Sequence, residues 1–386
     1  MAKYDFNNSR YAKLWHSVEG RQILSAILAD PELIRANITF AFQHFTIDTR
    51  ETPTASDGTA TFISRMKEPD KAYMMDMRAP LGDSIQSDKG NAAFYTGVIP
   101  DFIGRGTVEQ AMERAYKEEM FLANFGNDAF LVSEFIDDIQ KKIDGADMTL
   151  SNMAAQLLSK GHINYEAGLG IKAPVLRADI PTANFVKAGE KAWTDPDAQI
   201  LTYMKRIEEE FRERTGTDFP MQWNIPYDMF HNVFLKNAEV VELVKAYRTV
   251  NDKVVLERME ITEAMFNEAI PQFEGISPIV VIKEKQRDVE GMVHGWEDGN
   301  VVLRPAGKAG VIRHTSILDQ KMYEKYGAKA ISRVFSKTRN GLYTIMNTTL
   351  DNGNLREWHT DLMMSAVPSL DEFLYHVVVD TKTANE

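Results

Sequence analysis

Residues 298–307 read Asp-Gly-Asn-Val-Val-Leu-Arg-Pro-Ala-Gly. The start of this stretch, together with Glu297, has the composition of a tight turn, because Gly, Asn and Asp adopt turn conformations at little cost. Val301–Leu303 then form a short apolar run, which is typical of a strand in a protein core. The stretch therefore predicts a buried strand that is entered through a turn.

Other apolar strands and helices precede this stretch. Met221–Ile225 and Pro278–Ile282 indicate core strands, and helices are expected at about 226–236 and 238–248. Before them, Asp195-Pro196 is predicted to open a helix, since both residues suit a helix start, and Gly216 to end it. One face of that helix is apolar. The opposite face is predicted to be solvated and consists of Lys205, Arg206, Glu208, Glu209, Arg212 and Glu213.

Three helical stretches between residues 108 and 160 predict a long helical spine. The first covers about 108–120. The second begins at residue 127 or 128 and is predicted to end at Gly145, because glycine is common just beyond helix ends. The third covers about 149–160 and is expected to stop at Gly161.

The chain after residue 330 is mostly β. Asn340-Gly341 and Asp351–Asn354 are turn signals between β-rich runs. Helices and an antiparallel sheet are thus largely segregated, which predicts an α+β fold. The predicted runs are Ile331–Thr338, Leu342–Thr349, Leu355–Ala366 and Phe373–Asp380.

The amino-terminal part has a different character. Residues 1–45 indicate an arm with short helical pieces. Residues 46–97 have no sustained helical period, and short strand-like runs occur at Thr59–Ser64 and Tyr73–Arg78. Connections of this length inside a compact domain are usually functional or disordered. We interpret the segment as an extended hairpin that packs on another subunit and buries little against its own; a flexible surface insertion is the alternative.

The sequence contains no recognisable catalytic or cofactor motif. There are no cysteines, which excludes disulfides, thiol nucleophiles and thiolate metal sites. No two histidines have the helical spacing of a metal pair. The glycine pattern at Gly168–Ala173 is followed by Pro174 instead of a helix, and Pro305–Ala309 lacks the residues of a phosphate loop. We expect no cofactor and no metal, and this absence favours assembly over catalysis.

Composition limits the class of protein. The formal net charge is −12, from 44 Lys plus Arg against 56 Asp plus Glu, without a dense basic run. Proteins that grip nucleic acid usually carry a basic excess, whereas an acidic shell around DNA would not adhere to phosphates. The start of the chain lacks the apolar stretch of a signal peptide, and no apolar run is long enough for a membrane helix.

Several segments, taken in order, resemble the major capsid proteins of tailed bacteriophages, in particular the lambda-type branch. Each segment alone is short, and their order across residues 150–380 carries the resemblance. The segments are Ala192–Ala198 before a charged helix, Tyr227–Leu235, Lys236–Val240, Ile279–Ile282, Asp298–Gly307, Trp358, and Met364–Pro368 before a final Val-rich strand.

The resemblance implies a specific fold and role. The expected parts are an arm (1–45), an extended loop (46–97), a peripheral domain with a spine helix and β-hairpin (98–190 and 325–366), and an axial domain (191–324 and 367–386). It implies hexamers and pentamers that form an icosahedral head around double-stranded DNA without sequence-specific binding. A separate scaffolding protein and a portal are implied partners, with a decoration protein left open. The chain is expected in the virion after assembly in the host cytoplasm.

Contacts between subunits are expected at the loop and at the peripheral hairpin tip, where three capsomers would meet. Two alternatives stay open: the shell protein of an encapsulin-type nanocompartment, which shares the fold, and a soluble enzyme with an unrecognised active site. The expected contact residues are Arg50, Arg65, Lys67, Lys71, Arg78, Asp351, Asn352 and Asn354.

Overall fold

The computed structural model describes most of the chain in two compact units. The first unit contains described residues within 39–62, 98–151 and 312–368, and the second those within 63–97, 152–311 and from 369 onward. The described residues 152–164 and 176–190, which the sequence analysis placed in the peripheral domain, lie in the second unit. The described residues are 39–55, 59–67, 92–105, 129–164, 176–250, 262–273, 275–283, 286–288, 291–293, 295–316, 331–338, 341–351 and 356–384.

One long helix and several shorter ones occur among the described residues. The α-helices are α1 (Phe40–His44), α2 (Ala129–Lys160), α3 (Ile200–Thr215), α4 (Tyr227–Asn232), α5 (Ala238–Val250) and α6 (Glu263–Phe273). Short 3-10 turns cover Thr182–Asn184, Phe234–Lys236 and Phe373–Tyr375. No helix of the described part is long and apolar enough to cross a bilayer.

The strands of the described residues form two larger sheets and three two-stranded ones. Their bounds are β1 (Phe45–Ile47), β2 (Thr61–Lys67), β3 (Ala92–Val98), β4 (Asp101–Arg105), β5 (His162–Ile163), β6 (Leu176–Arg177), β7 (Phe185–Lys187), β8 (Met221–Pro226), β9 (Ile279–Ile282), β10 (Gln286–Asp288), β11 (Gly291–Val293), β12 (Asn300–Pro305), β13 (Gly310–His314), β14 (Ile331–Thr338), β15 (Tyr343–Asp351), β16 (Arg356–Leu370) and β17 (Val377–Asp380). One sheet has the order β1-β13-β16-β15-β14, with β4 also paired to β16, and the other has the order β7-β17-β12-β8-β9. The two-stranded sheets are β2-β3, β5-β6 and β10-β11.

The predicted strand at residues 301–303 is central in the five-stranded sheet. Strand β12 pairs antiparallel with β8, with Leu303 opposite Trp223, and antiparallel with β17, with Val302 opposite Val378. All three residues of Val301–Leu303 are fully buried. A short apolar run that is covered on both faces therefore sits where its composition predicts.

The β-rich end of the chain is an antiparallel meander. Strands β14 and β15 pair from Ile331 opposite Leu350, and β15 pairs with β16 until Asp351 lies opposite Arg356. The predicted β-rich end of the chain is thereby confirmed in the described residues, whereas the five-stranded sheet is mixed, since β8 and β9 and also β7 and β17 pair in parallel. The tip itself, residues 352–355, lies outside them.

The predicted end of the second spine helix at Gly145 is wrong, because α2 continues through this residue to Lys160. Ile139, Ile143 and Leu150 are buried on both sides of Gly145, so one apolar stripe continues along the helix. Burial of that stripe outweighs the cost of one glycine, which is roughly 1 kcal/mol. The predicted stop at Gly161, which has φ +72°, is confirmed. The helix predicted at 108–120 lies outside the described residues.

The predicted helix start at Asp195-Pro196 is also wrong, because α3 begins at Ile200. Asp195 instead closes a turn: its carboxylate accepts a hydrogen bond from the Asp197 amide at 2.9 Å, and its carbonyl accepts one from Ala198 at 3.1 Å. Aspartate competes for turns in this way because its short side chain reaches the backbone two residues on. The predicted end at Gly216, with φ +64°, is confirmed.

Candidate assembly interface

The base of the predicted extended loop is a two-stranded hairpin made of β2 and β3, here called the hairpin base. Burial alternates along both strands, so each strand has an inner and an outer side. On the outer face, Ile63 and Phe94 are each 64% exposed, and Arg65 is exposed beside them. Large apolar side chains grouped on an exposed face often mark an interaction site.

The inner side of the hairpin base is anchored on the chain's own second unit. Ser64 and Tyr95 are buried, and both donate hydrogen bonds to the carbonyl of Leu370, at 2.8 and 3.0 Å. The Leu370 amide donates to the Tyr95 hydroxyl at 2.7 Å. The Tyr95 ring also meets Phe373 edge to face, with centroids 5.1 Å apart.

Residues 48–54, here called the loop stem, run beside the second half of β13 and the residues that follow it. The Asp48 amide donates to Ile312 O at 3.0 Å, and the Thr52 amide donates to His314 O at 2.7 Å. The Thr315 hydroxyl donates to Thr52 O at 2.8 Å. Backbone bonds of this kind fix the stem in the first unit.

Two carboxylates add ion pairs to the loop stem. Asp48 pairs with Arg313 at 2.5 Å, and Glu51 pairs with Lys337 at 2.7 Å while accepting a hydrogen bond from the Ser316 hydroxyl. Burial alone would raise the pKa of Asp48, but hydrogen bonds from the Arg50 amide and Arg313 outweigh it and hold the pKa below its usual value. The Lys337 and Ser316 hydrogen bonds lower the pKa of Glu51. Both pairs therefore persist at neutral pH and weaken only as the pH falls through these lowered values.

These contacts correct one expectation from the sequence. The extended loop was expected to bury little against its own subunit, yet the described parts of its stem and hairpin base are anchored there. The reason is that polar and apolar partners distant in sequence meet the segment; Asp48 and Arg313 are 265 residues apart. A weakly patterned sequence gives no local sign of such partners.

The predicted contact residues that the structure describes lie on different features of the chain. Arg50 lies in the loop stem and Arg65 on the outer face; both are exposed, and no carboxylate of the described residues lies within ion-pair distance of either guanidinium. Lys67 is the last residue of β2, and Asp351 is the last residue of β15. Outside the described residues are Lys71, Arg78, Asn352 and Asn354.

Two segments that carry the family resemblance meet in the second unit. The Asn237 amide group donates to Ala198 O at 2.8 Å, and its side-chain oxygen accepts from the Val240 amide at 3.4 Å, at the start of α5. The carboxylate of Glu239 accepts hydrogen bonds from the Leu201 and Thr202 amides at 2.8 and 3.1 Å. The first amides of a helix have no partner within the helix. The carboxylate of Glu239, at the start of α5, therefore caps the N-terminus of α3.

The described part of the chain offers little for catalysis or metal binding. No group of three or more acidic or histidine side chains that could hold a metal occurs there. A cleft of about 340 Å³ lies beside the start of α3 and is lined by Gly189, Lys191, Trp193, Tyr203 and Arg206 among others. Lys191 is paired with Asp195 and Asp197, and Arg206 lies over the Tyr203 ring, so these charges already have partners. We assign no chemistry to this cleft.

Sequence comparison finds no matching protein-family model and no matching curated protein. Structure comparison finds similar folds. A proposed capsid protein of a prophage of E. coli CFT073 has a TM-score of 0.52 at 14% identity, covering 93% of this chain and 98% of that one. A phage-related protein from Bordetella bronchiseptica RB50 has a TM-score of 0.47 at 13% identity, covering 94% and 96%.

A third structure, the capsid of Myoviridae phage XM1, has a TM-score of 0.37 at 11% identity, covering 89% of this chain and 92% of that one. Only the similarity to the prophage protein, with its TM-score of 0.52, is used to assign the fold. It shows that the chain has the phage major capsid fold, which confirms the predicted fold class. The lambda-type branch stays a prediction.

Proposed function

We propose that this chain is the major capsid protein of a tailed bacteriophage, a structural subunit and not an enzyme. Copies would form hexamers and pentamers that close an icosahedral head around the genome. The observation that carries the proposal is the fold, which is shared with a prophage capsid protein over 93% of the chain.

In this proposal the domains keep the assignment made from the sequence. Residues 1–45 are the arm, 46–97 the extended loop, 98–190 with 325–366 the peripheral domain, and 191–324 with 367–386 the axial domain. The outer face of the hairpin base (Ile63, Arg65 and Phe94) contacts a neighbouring subunit. Each contact is small, and repetition around a closed shell multiplies their effect.

The proposed partners follow from the role in a shell. A scaffolding protein, a portal and double-stranded DNA would accompany the assembled chain in the virion, and a decoration protein is an open addition. The net charge of −12 suits an enclosure that holds DNA without adhering to it. No cofactor belongs to this function.

The first experiment is electron microscopy of the purified protein in negative stain, together with size-exclusion chromatography. Closed shells or rings of five and six subunits support the proposal. A compact monomer or dimer over a wide range of salt and protein concentration would contradict it and favour the soluble-enzyme alternative. The contents of the particles then distinguish the phage capsid protein from the nanocompartment shell protein, since a nanocompartment would enclose an enzyme and a phage head would enclose DNA.

A loop deletion tests the part played by the extended loop. The whole segment of about 50–92 is unsuitable, because its stem and hairpin base are packed in the subunit. We therefore propose replacing residues 69–90 with Asn-Gly, which favours a tight turn between antiparallel strands. The shortened chain should unfold at the same urea concentration as the natural chain but form no shells. Normal particles from it would show that the loop is not an assembly contact.

A further inference from the structure

The hairpin base is held to the end of β16 through the backbone of one residue, Leu370. Leu370 is the last residue of this strand and is 1% exposed. Its carbonyl accepts hydrogen bonds from Ser64 on β2 and Tyr95 on β3, and its amide donates to the same Tyr95 hydroxyl. The Tyr95 hydroxyl thus donates and accepts at a single residue, and both hairpin strands are held at that residue.

These contacts matter because Leu370 is the last residue of β16. Strand β16 ends at Leu370, and the next amide, of Asp371, already bonds to Ala309 O at 3.2 Å. Both backbone polar groups of Leu370 have hydrogen-bond partners among the side chains of the hairpin base. Since buried peptide groups without partners are costly, the hairpin base and the strand end are mutually dependent.

We propose that Tyr95 is a positioning residue: it fixes the hairpin base against Leu370 and so sets the direction in which the extended loop leaves the subunit. The consequence for assembly rests on the proposed function. Apolar packing accompanies these bonds, with Met66 8% exposed and the Tyr95 ring against Phe373. Packing of this kind tolerates several orientations, whereas a hydroxyl that donates to the carbonyl and accepts from the amide of one residue specifies a single orientation.

The test compares Tyr95→Phe with Tyr203→Phe in the full-length protein. Both changes remove a tyrosine hydroxyl that bonds to a backbone carbonyl in the second unit; Tyr203 donates to Lys187 O at 2.5 Å, away from the hairpin base. Amide hydrogen exchange is followed by mass spectrometry in peptides that cover 60–67, 92–99 and Leu370. For Tyr95→Phe we expect exchange in these peptides to be about ten times faster than in the natural chain, because this factor corresponds to the free energy of one buried hydrogen bond. For Tyr203→Phe we expect no change in these peptides.

Ser64→Ala provides a second variant and should accelerate the same peptides to a smaller extent, because it removes one bond and leaves Tyr95 in place. Unchanged exchange in Tyr95→Phe, or equal acceleration in Tyr203→Phe, would overturn the proposal. Microscopy then compares shells: Tyr95→Phe should give fewer or irregular particles, while Tyr203→Phe gives normal ones. If the natural chain forms no shells at all, the proposed function fails, and the exchange result still decides the role of Tyr95.

Discussion

Glu208 lies in the middle of α3 and is only 4% exposed. Its carboxylate accepts hydrogen bonds from the Trp223 indole at 2.5 Å, the Ser277 amide at 2.8 Å and the Ser277 hydroxyl at 2.8 Å. The sequence analysis placed Glu208 on the solvated face, which is wrong. A buried carboxylate is tolerated because each oxygen has donors, and it joins α3 to β8 and to the segment before β9.

We predict that Glu208→Ala lowers the free energy of unfolding by about 3 kcal/mol, because buried donors on Trp223 and Ser277 lose their acceptor. Glu209→Ala is the matched control: the same change one residue along, on the exposed side, should stay within about 0.5 kcal/mol. Urea unfolding of the unassembled subunit, followed by tryptophan fluorescence, measures both. Similar effects of the two substitutions would contradict the assigned network.

His376 is a second buried polar residue, and its ring donates a hydrogen bond to Leu158 O at 2.7 Å. Burial is the main cause that lowers the pKa of His376 to about 4; the Leu158 bond opposes this shift, and the nearby Arg304 charge adds to it. The unfolded chain, with an ordinary pKa near 6.5, binds the proton more readily than the folded one. Stability is therefore full above about pH 6.5 and falls as the pH approaches 4.

We predict that this histidine contributes about 3 kcal/mol to the loss of stability between pH 7 and pH 4, from its shift in pKa. His376→Gln keeps a donor for Leu158 O but does not titrate, so its unfolding free energy should change less over this range. Urea midpoints at both pH values for the two proteins provide the comparison. Parallel pH dependence would show that His376 does not carry the effect.

At the scale of elements, the spine helix α2 shows how packing overrides a local signal. Gly145 is exposed in the helix interior, and a Cβ atom built there meets nothing within 4 Å. Gly161 differs: it has φ +72°, and its added Cβ would lie 2.7 Å from Ile180 Cδ1. One glycine is therefore dispensable for the fold and the other ends the helix.

We predict opposite effects for alanine at these two positions. Gly145→Ala should raise the free energy of unfolding by roughly 0.5–1 kcal/mol, because alanine has the better helix propensity and space for its methyl group. Gly161→Ala should lower it, since alanine is strained at this φ. Thermal unfolding of each variant checks both signs. A destabilised Gly145→Ala would mean that the glycine has a packing role.

Two further glycines, in the strands that flank β16, differ in the space around them. An added Cβ at Gly310 in β13 would lie 2.0 Å from Ser369 O, whereas one at Gly104 in β4 would lie 3.8 Å from Leu362 O. Both glycines sit on strands that flank β16, and only the first leaves no room. The closeness of β13 to β16 therefore depends on a residue without a side chain.

We predict that Gly310→Ala strongly lowers the yield of folded protein. The free energy of unfolding should fall by more than about 3 kcal/mol, because the backbone of β13 or β16 has to move to make room for the methyl group. Gly104→Ala, the matched change on β4, should be tolerated within about 1 kcal/mol. Soluble expression and urea unfolding measure the two. Equal tolerance at both positions would contradict the packing of β13 against β16.

At the scale of the whole molecule, the hairpin base has an anchored side and an exposed apolar side. The inner side is bonded to Leu370, while Ile63 and Phe94 remain 64% exposed. An exposed apolar face is expensive for an isolated subunit and useful in an assembly. The same feature that lowers the solubility of one copy would strengthen contacts between copies.

We predict that Phe94→Glu leaves the free energy of unfolding within about 0.5 kcal/mol, because the side chain is exposed, but prevents shell formation through a charge in an apolar contact. Phe94→Leu keeps an apolar side chain and should still assemble. Sedimentation and electron microscopy of the two variants give the readout. Normal shells from Phe94→Glu would remove this face from the set of intersubunit contacts.

The sequence by itself determined the elements that depend on neighbours along the chain. The strand at 300–305, the meander after residue 330, and the helix ends at Gly161 and Gly216 follow from apolar period and turn chemistry within a few residues. Phe94 and Ile63 lie in a segment that the sequence marked as an extended hairpin, so the location of the candidate interface was also accessible. The outer face itself was not, because alternation in so short a strand does not say which side is covered.

Only the tertiary structure decided which polar residues are buried and which contacts anchor the hairpin base. Glu208 looks like its neighbour Glu209, and its donors on Trp223 and Ser277 are 15 and 69 residues away. Tyr95 and Leu370 are 275 residues apart. Local periodicity records interactions over roughly one helical turn or two strand positions, whereas these bonds arise when folding brings distant segments together. Their burial and their strength are properties of the packed molecule.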